Sequence, residues 1–111
     1  MKNLFLLRHC EAYHFEENKS DHEKQLNENG RKSARLLKNW FEKKNIVLDH
    51  ILTSSANRTL TTTNIVFSNY ESKVCKKKEL YLCDYKEILK EVKLLDNNFN
   101  SVVIVGHEPS I

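Results

Sequence analysis

Arg8-His9, Arg58 and His107 stand where apolar runs give out. The runs are Asn3-Leu4-Phe5-Leu6-Leu7, His50-Ile51-Leu52-Thr53 with Ser54-Ser55 after it, and Ser101-Val102-Val103-Ile104-Val105 with Gly106 after it. Gathered in one place, two arginines and two histidines make a cationic pocket suited to a phosphoryl group. Two guanidinium forks offer planar, paired donors to phosphate oxygens, and each charge-assisted bond contributes about 1.5–3 kcal/mol. The same charges disfavour protonation of a neighbouring imidazole and hold it neutral at physiological pH. One neutral imidazole can attack phosphorus in line to give a phosphohistidine while the other donates to the equatorial oxygens; water then discharges the intermediate.

Bringing those residues together requires strands that end side by side. Asn3-Leu4-Phe5-Leu6-Leu7 reads as a strand buried on both faces of a parallel sheet. Residues 14–24 are polar without a period and form an expected excursion that borders the site. Asn27 then caps an amphipathic helix carrying Ala34, Leu36, Leu37, Trp40 and Phe41 and ending near Lys44-Asn45. After the strand at His50-Ile51-Leu52-Thr53, Ser54-Ser55 are expected to cap a helix with Leu60, Ile65, Val66 and Phe67 on its apolar side, although Thr59 and Thr61-Thr62-Thr63 lower its propensity.

A third strand is expected within residues 75–82, and Ile88, Leu89, Val92 and Leu95 give residues 85–95 a helical period. The β-branched run Ser101-Val102-Val103-Ile104-Val105 is the clearest strand, and Pro109 suits the start of a following helix. Alternating strands and helices predict one α/β domain over residues 1–111, a mostly parallel sheet flanked by helices in three layers. A sheet finishing on its most apolar strand would leave that strand an open edge, able to recruit a second copy. In such a sheet ligands bind at the carboxyl ends of the strands, where all three motifs fall.

Composition narrows the function classes. The chain has 111 residues, and its 18 Lys and Arg against 15 Asp and Glu are interspersed, which calls for no nucleic acid partner. Cys10, Cys75 and Cys83 are odd in number and lack paired spacing, the expectation for reduced thiols in a cytoplasmic protein. No apolar run is long enough for a signal peptide or for the roughly 20 residues of a membrane span. His14, His22 and His50 read as surface or loop residues, residues 73–78 as a solvated lysine-rich turn, and Cys10 lacks the arginine six positions on that a cysteine-dependent phosphatase loop requires, since Glu16 stands there. Neither a metal site nor a glycine-rich nucleotide loop is expected, with only Gly30 and Gly106 present and no paired ligand spacing.

Leu6-Leu7-Arg8-His9-Cys10-Glu11-Ala12 resembles the Arg-His-Gly motif of the histidine phosphatase superfamily, the phosphoglycerate-mutase-like fold. Ser54-Ser55-Ala56-Asn57-Arg58-Thr59 with Thr62 resembles the second motif of that family, and Val105-Gly106-His107-Glu108-Pro109 resembles the segment bearing its second histidine. Leu26-Asn27-Glu28-Asn29-Gly30-Arg31 is similar to the start of the family's first helix, and the compact spacing is most similar to SixA-type phosphohistidine phosphatases. The resemblance implies His9 as nucleophile, phosphate binding by Arg8, Arg58 and His107, no cofactor, and a phosphorylated small molecule or phosphohistidine-containing protein as substrate.

Glu11, Ser54 and Ser55 are expected to support the motifs. Cys10 replaces the family's usual Gly. Family members continue for another strand and helix beyond the second histidine, so such elements would be expected after Ile111. Glu79, Asp84 and Glu87 are candidate general acids without a motif to separate them. The alternative to an enzyme is a non-catalytic phosphate-binding or protein-interaction module.

Overall fold

The three apolar runs and a mixed segment beginning at Val74 become the strands of one sheet, and the amphipathic stretches between them become its covering helices. The computed structural model describes residues 2–111. Strands β1 (Asn3–Arg8), β2 (His50–Ser54), β3 (Val74–Lys77) and β4 (Ser101–Gly106) lie in the order β1-β4-β2-β3, and every pairing is parallel. Helices α1 (Glu28–Lys43) and α2 (Asn57–Val66) pack on one face. There Ala34 and Phe41 meet Ile51, Val103 and Val105, and Phe41 lies edge-on to Phe5 and Phe67 at 5.5 and 5.1 Å between ring centroids. Helix α3 (Tyr85–Lys93) covers the other face, where Ile88 and Leu80 bury Leu52 and Ile104. Each large side chain so buried contributes about 1.5–3 kcal/mol. The three-layer α/β architecture is the expected one.

Several local expectations are corrected. β4 is not an open edge: it sits between β1 and β2 with all six residues buried, so it offers no free strand to a second copy. The edges are β1 and β3; in β1, Phe5 and Leu7 pack inward while Leu4 and Leu6 remain 39 % and 48 % exposed. A continuous apolar run does not distinguish an interior strand from an edge, because periodicity reports composition and not neighbours. In α1 the buried stripe is Ala34, Leu37 and Phe41; Trp40, about a quarter turn round the helix, is exposed, as is Leu36.

Helix α2 turns Thr59, Thr62 and Thr63 to the interior instead of a wholly apolar stripe. Their hydroxyls remain satisfied because Thr59 donates to Ser54 O at 2.8 Å, Thr62 to Arg58 O at 2.8 Å and Thr63 to Thr59 O at 2.8 Å. Its N-cap is Ala56, not a serine, because Ser54 still belongs to β2. The third strand is short and gives way to a 3-10 turn, Lys78–Leu80, that buries Leu80. Beyond β4, residues 108–110 form a turn, and Ile111 N donates to His107 O at 3.1 Å. Gly106 has no positive φ; it is an ordinary strand residue.

Two features of α1 bear on the first motif. Asn27 caps the helix by accepting from Gly30 N at 2.8 Å, and a Cβ at Gly30 would stand 2.0 Å from the carbonyl oxygen of Glu11. Only glycine lets the helix start approach so near to the residues after β1.

Candidate active site

Parallel register brings the two histidines together. β1 and β4 are adjacent with Arg8 opposite Gly106, so His9 and His107 leave neighbouring strands at the same level; His9 N donates to Gly106 O at 3.0 Å. Their ring centroids are 5.4 Å apart. The Nδ1 of His9 lies 2.7 Å from Cys10 O, and since a carbonyl only accepts, that nitrogen carries the proton and Nε2 keeps its lone pair. Burial holds the His9 pKa below its usual value, helped by the Arg58 charge and opposed by the Cys10 bond. His107 is 2 % exposed; burial, then Arg58 and His9, push it down to about 4. Its Nε2 bonds Ser54 Oγ at 2.8 Å, and its Nδ1 is buried without a partner. Both imidazoles are therefore neutral at pH 7.

Arg58, on the first turn of α2, is buried at 6 % exposure and points into the same space. A turn within the excursion meets it: Asp21–Glu23 form a 3-10 turn whose Asp21 accepts from Arg58 Nη1 through its backbone oxygen at 2.6 Å and from Nη2 through Oδ2 at 3.0 Å. The Tyr81 hydroxyl donates to the same Oδ2. His22 bonds Ser55 Oγ at 2.9 Å, and Asn57 Nδ2 donates to Glu23 O at 3.2 Å, so the excursion is fastened along the start of α2. At its base Ala12 bridges Leu26, and Leu26 is buried.

Arg8, His9, Arg58 and His107 all line one open cleft of about 420 Å³. Arg8 differs from Arg58 in lying at the exposed rim, where Nη1 pairs with Glu108 and Nε donates to Ile111 O at 2.8 Å. Glu11 accepts from Asn27 Nδ2 at 2.7 Å and so ties the first motif to the α1 cap. Ser54 supports His107, and Ser55 supports His22. The candidate general acids are placed elsewhere. Asp84 caps α3 by accepting from Lys86 N and Glu87 N, and neither Glu79 nor Glu87 lines the cleft. The carboxylates that do line it are Glu11, Asp21 and Glu108, each already held by a donor.

Of the histidines read as bystanders, His14 lines the cleft and His22 fastens the excursion, while His50 stacks on Phe99 at 4.9 Å at the start of β2. Among the described residues no group of three or more His, Cys, Asp or Glu side chains is arranged to hold a metal ion, and no helix is long and apolar enough to cross a membrane. The sequence model of the histidine phosphatase superfamily (branch 1) matches residues 4–90. The chain belongs to that superfamily.

Solved structures of SixA proteins carry the same fold. This histidine phosphatase superfamily member superposes on a proposed phosphohistidine phosphatase SixA of Agrobacterium tumefaciens with a TM-score of 0.90 at 25 % identity, covering 99 % of this chain and 72 % of that one. A proposed SixA of Nakamurella multipartitia gives 0.88 at 29 % identity over 99 % of this chain and 61 % of that one. A protein histidine phosphatase SixA solved with tungstate gives 0.87 at 27 % identity over 96 % and 70 %. An uncharacterized protein of Mycobacterium leprae is 28 % identical over 108 residues; the chain spans 66 % of its length.

In this superfamily member Asp21 and Tyr81 reach the cleft through Arg58, and Thr62 accepts from Cys10 N at 3.0 Å beside it. In the sequence Asp21 falls only within a bordering excursion, and Tyr81 within the expected third strand carries no motif. Both contacts are long-range, 37 residues from Asp21 to Arg58 and 60 from Asp21 to Tyr81, and no local period marks them.

Proposed function

We propose that this cleft hydrolyses a phosphoryl group through a covalent phosphohistidine on His9. The observation that carries it is the bond from His9 Nδ1 to Cys10 O, which leaves Nε2 as a free nucleophile in the cleft that Arg58 and His107 share. In the first step Nε2 bonds to phosphorus as the bond from phosphorus to the leaving atom breaks, the leaving atom departing with the electron pair. Arg58, and Arg8 once released from Glu108, neutralise the phosphoryl oxygens. Ser54 Oγ accepts from Ala56 N at 3.4 Å and can donate a hydrogen bond to the lone pair of His107 Nε2, which places the ring proton on Nδ1 as a donor to the transferring group. Water then attacks the phosphohistidine, releasing inorganic phosphate and restoring the lone pair on Nε2.

A phosphohistidine-bearing protein is the favoured substrate over a small phosphomonoester. Each carboxylate lining the cleft is engaged with a donor, and a phosphohistidine has a leaving nitrogen that needs less protonation than an alkoxide. The likeness to SixA proteins supports the same choice. A cytoplasmic setting belongs with it, in keeping with three free cysteines.

The test is turnover of a phosphohistidine protein beside an aryl phosphate, with the labelled enzyme quenched and mapped. Label on His9, lost together with turnover in His9→Ala, is the expected result. Label elsewhere, or undiminished turnover by His9→Ala, would overturn it. Tight phosphate binding without turnover would instead support a non-catalytic phosphate-binding module.

A further inference from the structure

Arg58 carries the buried positive charge of the cleft, yet the carboxylate that holds it belongs to a half-open loop: the Asp21 side chain is 46 % exposed. An ion pair with so exposed a partner does little to fix geometry by itself. Here the same oxygen, Asp21 Oδ2, also accepts from the Tyr81 hydroxyl, and the backbone oxygen of Asp21 takes the other arm of the fork. Two of the five guanidinium N–H groups are thereby committed in a fixed plane, and the rest of the fork is aimed by that plane. The Tyr81 ring, in turn, stands edge-on to His107 at 5.5 Å and to His22 at 4.7 Å, so it cannot swing without disturbing both. The electrostatics of Asp21 agree with this: the hydrogen bond from Tyr81, ahead of that from Arg58, holds the Asp21 carboxyl below its usual range.

We propose that Tyr81 and Asp21 are positioning residues for the anion-binding fork of Arg58, Tyr81 fixing the carboxylate and the carboxylate fixing the guanidinium. This rests on the assignment of Arg58 to phosphate binding. Tyr81 acts without touching the substrate; its hydroxyl matters because it stops an exposed aspartate from rotating away.

The decisive variant is Tyr81→Phe, which keeps the ring beside His107 and leaves every charge unchanged. Calorimetry with inorganic phosphate is expected to show affinity about fivefold weaker than in the unsubstituted protein, with kcat on a phosphorylated substrate about tenfold lower. Asp21→Asn is expected to split the constants: kcat falls about tenfold, while KM does not rise, because a negative charge has left the cleft. The double variant should lose no more kcat than Asp21→Asn alone, since both break one chain of contacts.

Phosphate affinity within twofold of the original in Tyr81→Phe, or kcat losses that multiply, would overturn the inference. If the unsubstituted protein binds phosphate but turns nothing over, the phosphatase assignment falls while the calorimetric comparison still decides the role of Tyr81. If it binds no phosphate, both fall together.

Discussion

Thr62 on α2 accepts the backbone N–H of Cys10 at 3.0 Å, and so ties the residue that follows His9 to the helix that carries Arg58. The same hydroxyl donates to Arg58 O at 2.8 Å, which leaves it fully used and buried. One threonine thus couples the histidine and arginine motifs across 52 residues of chain.

Thr62→Val keeps the shape and deletes the acceptor, stranding a buried N–H. The expected loss is about 1–3 kcal/mol of stability. Because the stranded group adjoins His9, kcat should fall as well, and Thr62→Ser should restore most of both. Chemical denaturation and steady-state kinetics on the three proteins check this.

Gly30→Ala is expected to be far more harmful than an ordinary helix substitution, where alanine would stabilise. The added Cβ would meet a backbone oxygen, Glu11 O, at 2.0 Å, and neither the helix start nor the first motif can yield without breaking the Asn27 cap. A loss of about 2 kcal/mol or more, read as a lower Tm, is expected, with reduced activity. Gly106→Ala meets only the flexible Cδ1 of Ile111 at 2.8 Å and should be milder.

Acid should weaken the fold through His107. Its folded pKa is about 4 against 6.5 for an ordinary histidine, so between those values the unfolded chain binds a proton that the folded chain does not. Stability therefore rises with pH across that window: this contribution, about 3 kcal/mol, is complete above pH 6.5 and is lost as pH falls through 4. Denaturation midpoints measured from pH 4 to 7 should flatten in His107→Gln. Activity should survive below pH 6.5, because the His9 pKa is also lowered. The two rings stand 5.4 Å apart between centroids, so the acid limb reports the pair.

Glu108→Gln removes the carboxylate paired with Arg8 at the rim. The expected outcome is a KM about threefold lower for an anionic substrate at low salt, shrinking as ionic strength rises, because both partners are exposed and screened. An unchanged KM would show that substrate does not draw Arg8 away from Glu108. Kinetics at two salt concentrations distinguish these outcomes.

Read by itself, the sequence determined the element types, the N-cap at Asn27, and the placing of Arg8, His9 and His107 at strand ends. These are local properties: the period of apolar residues and the chemistry of a cap act over a few neighbours, and so they are written within each segment. Tertiary structure alone decided that β4 is interior and that β1 and β3 are the edges, that His9 and His107 stand level, that α2 buries threonines, and that Asp21 and Tyr81 hold Arg58. Strand order and register come from contacts between residues far apart in the chain, whose free energy no local window contains.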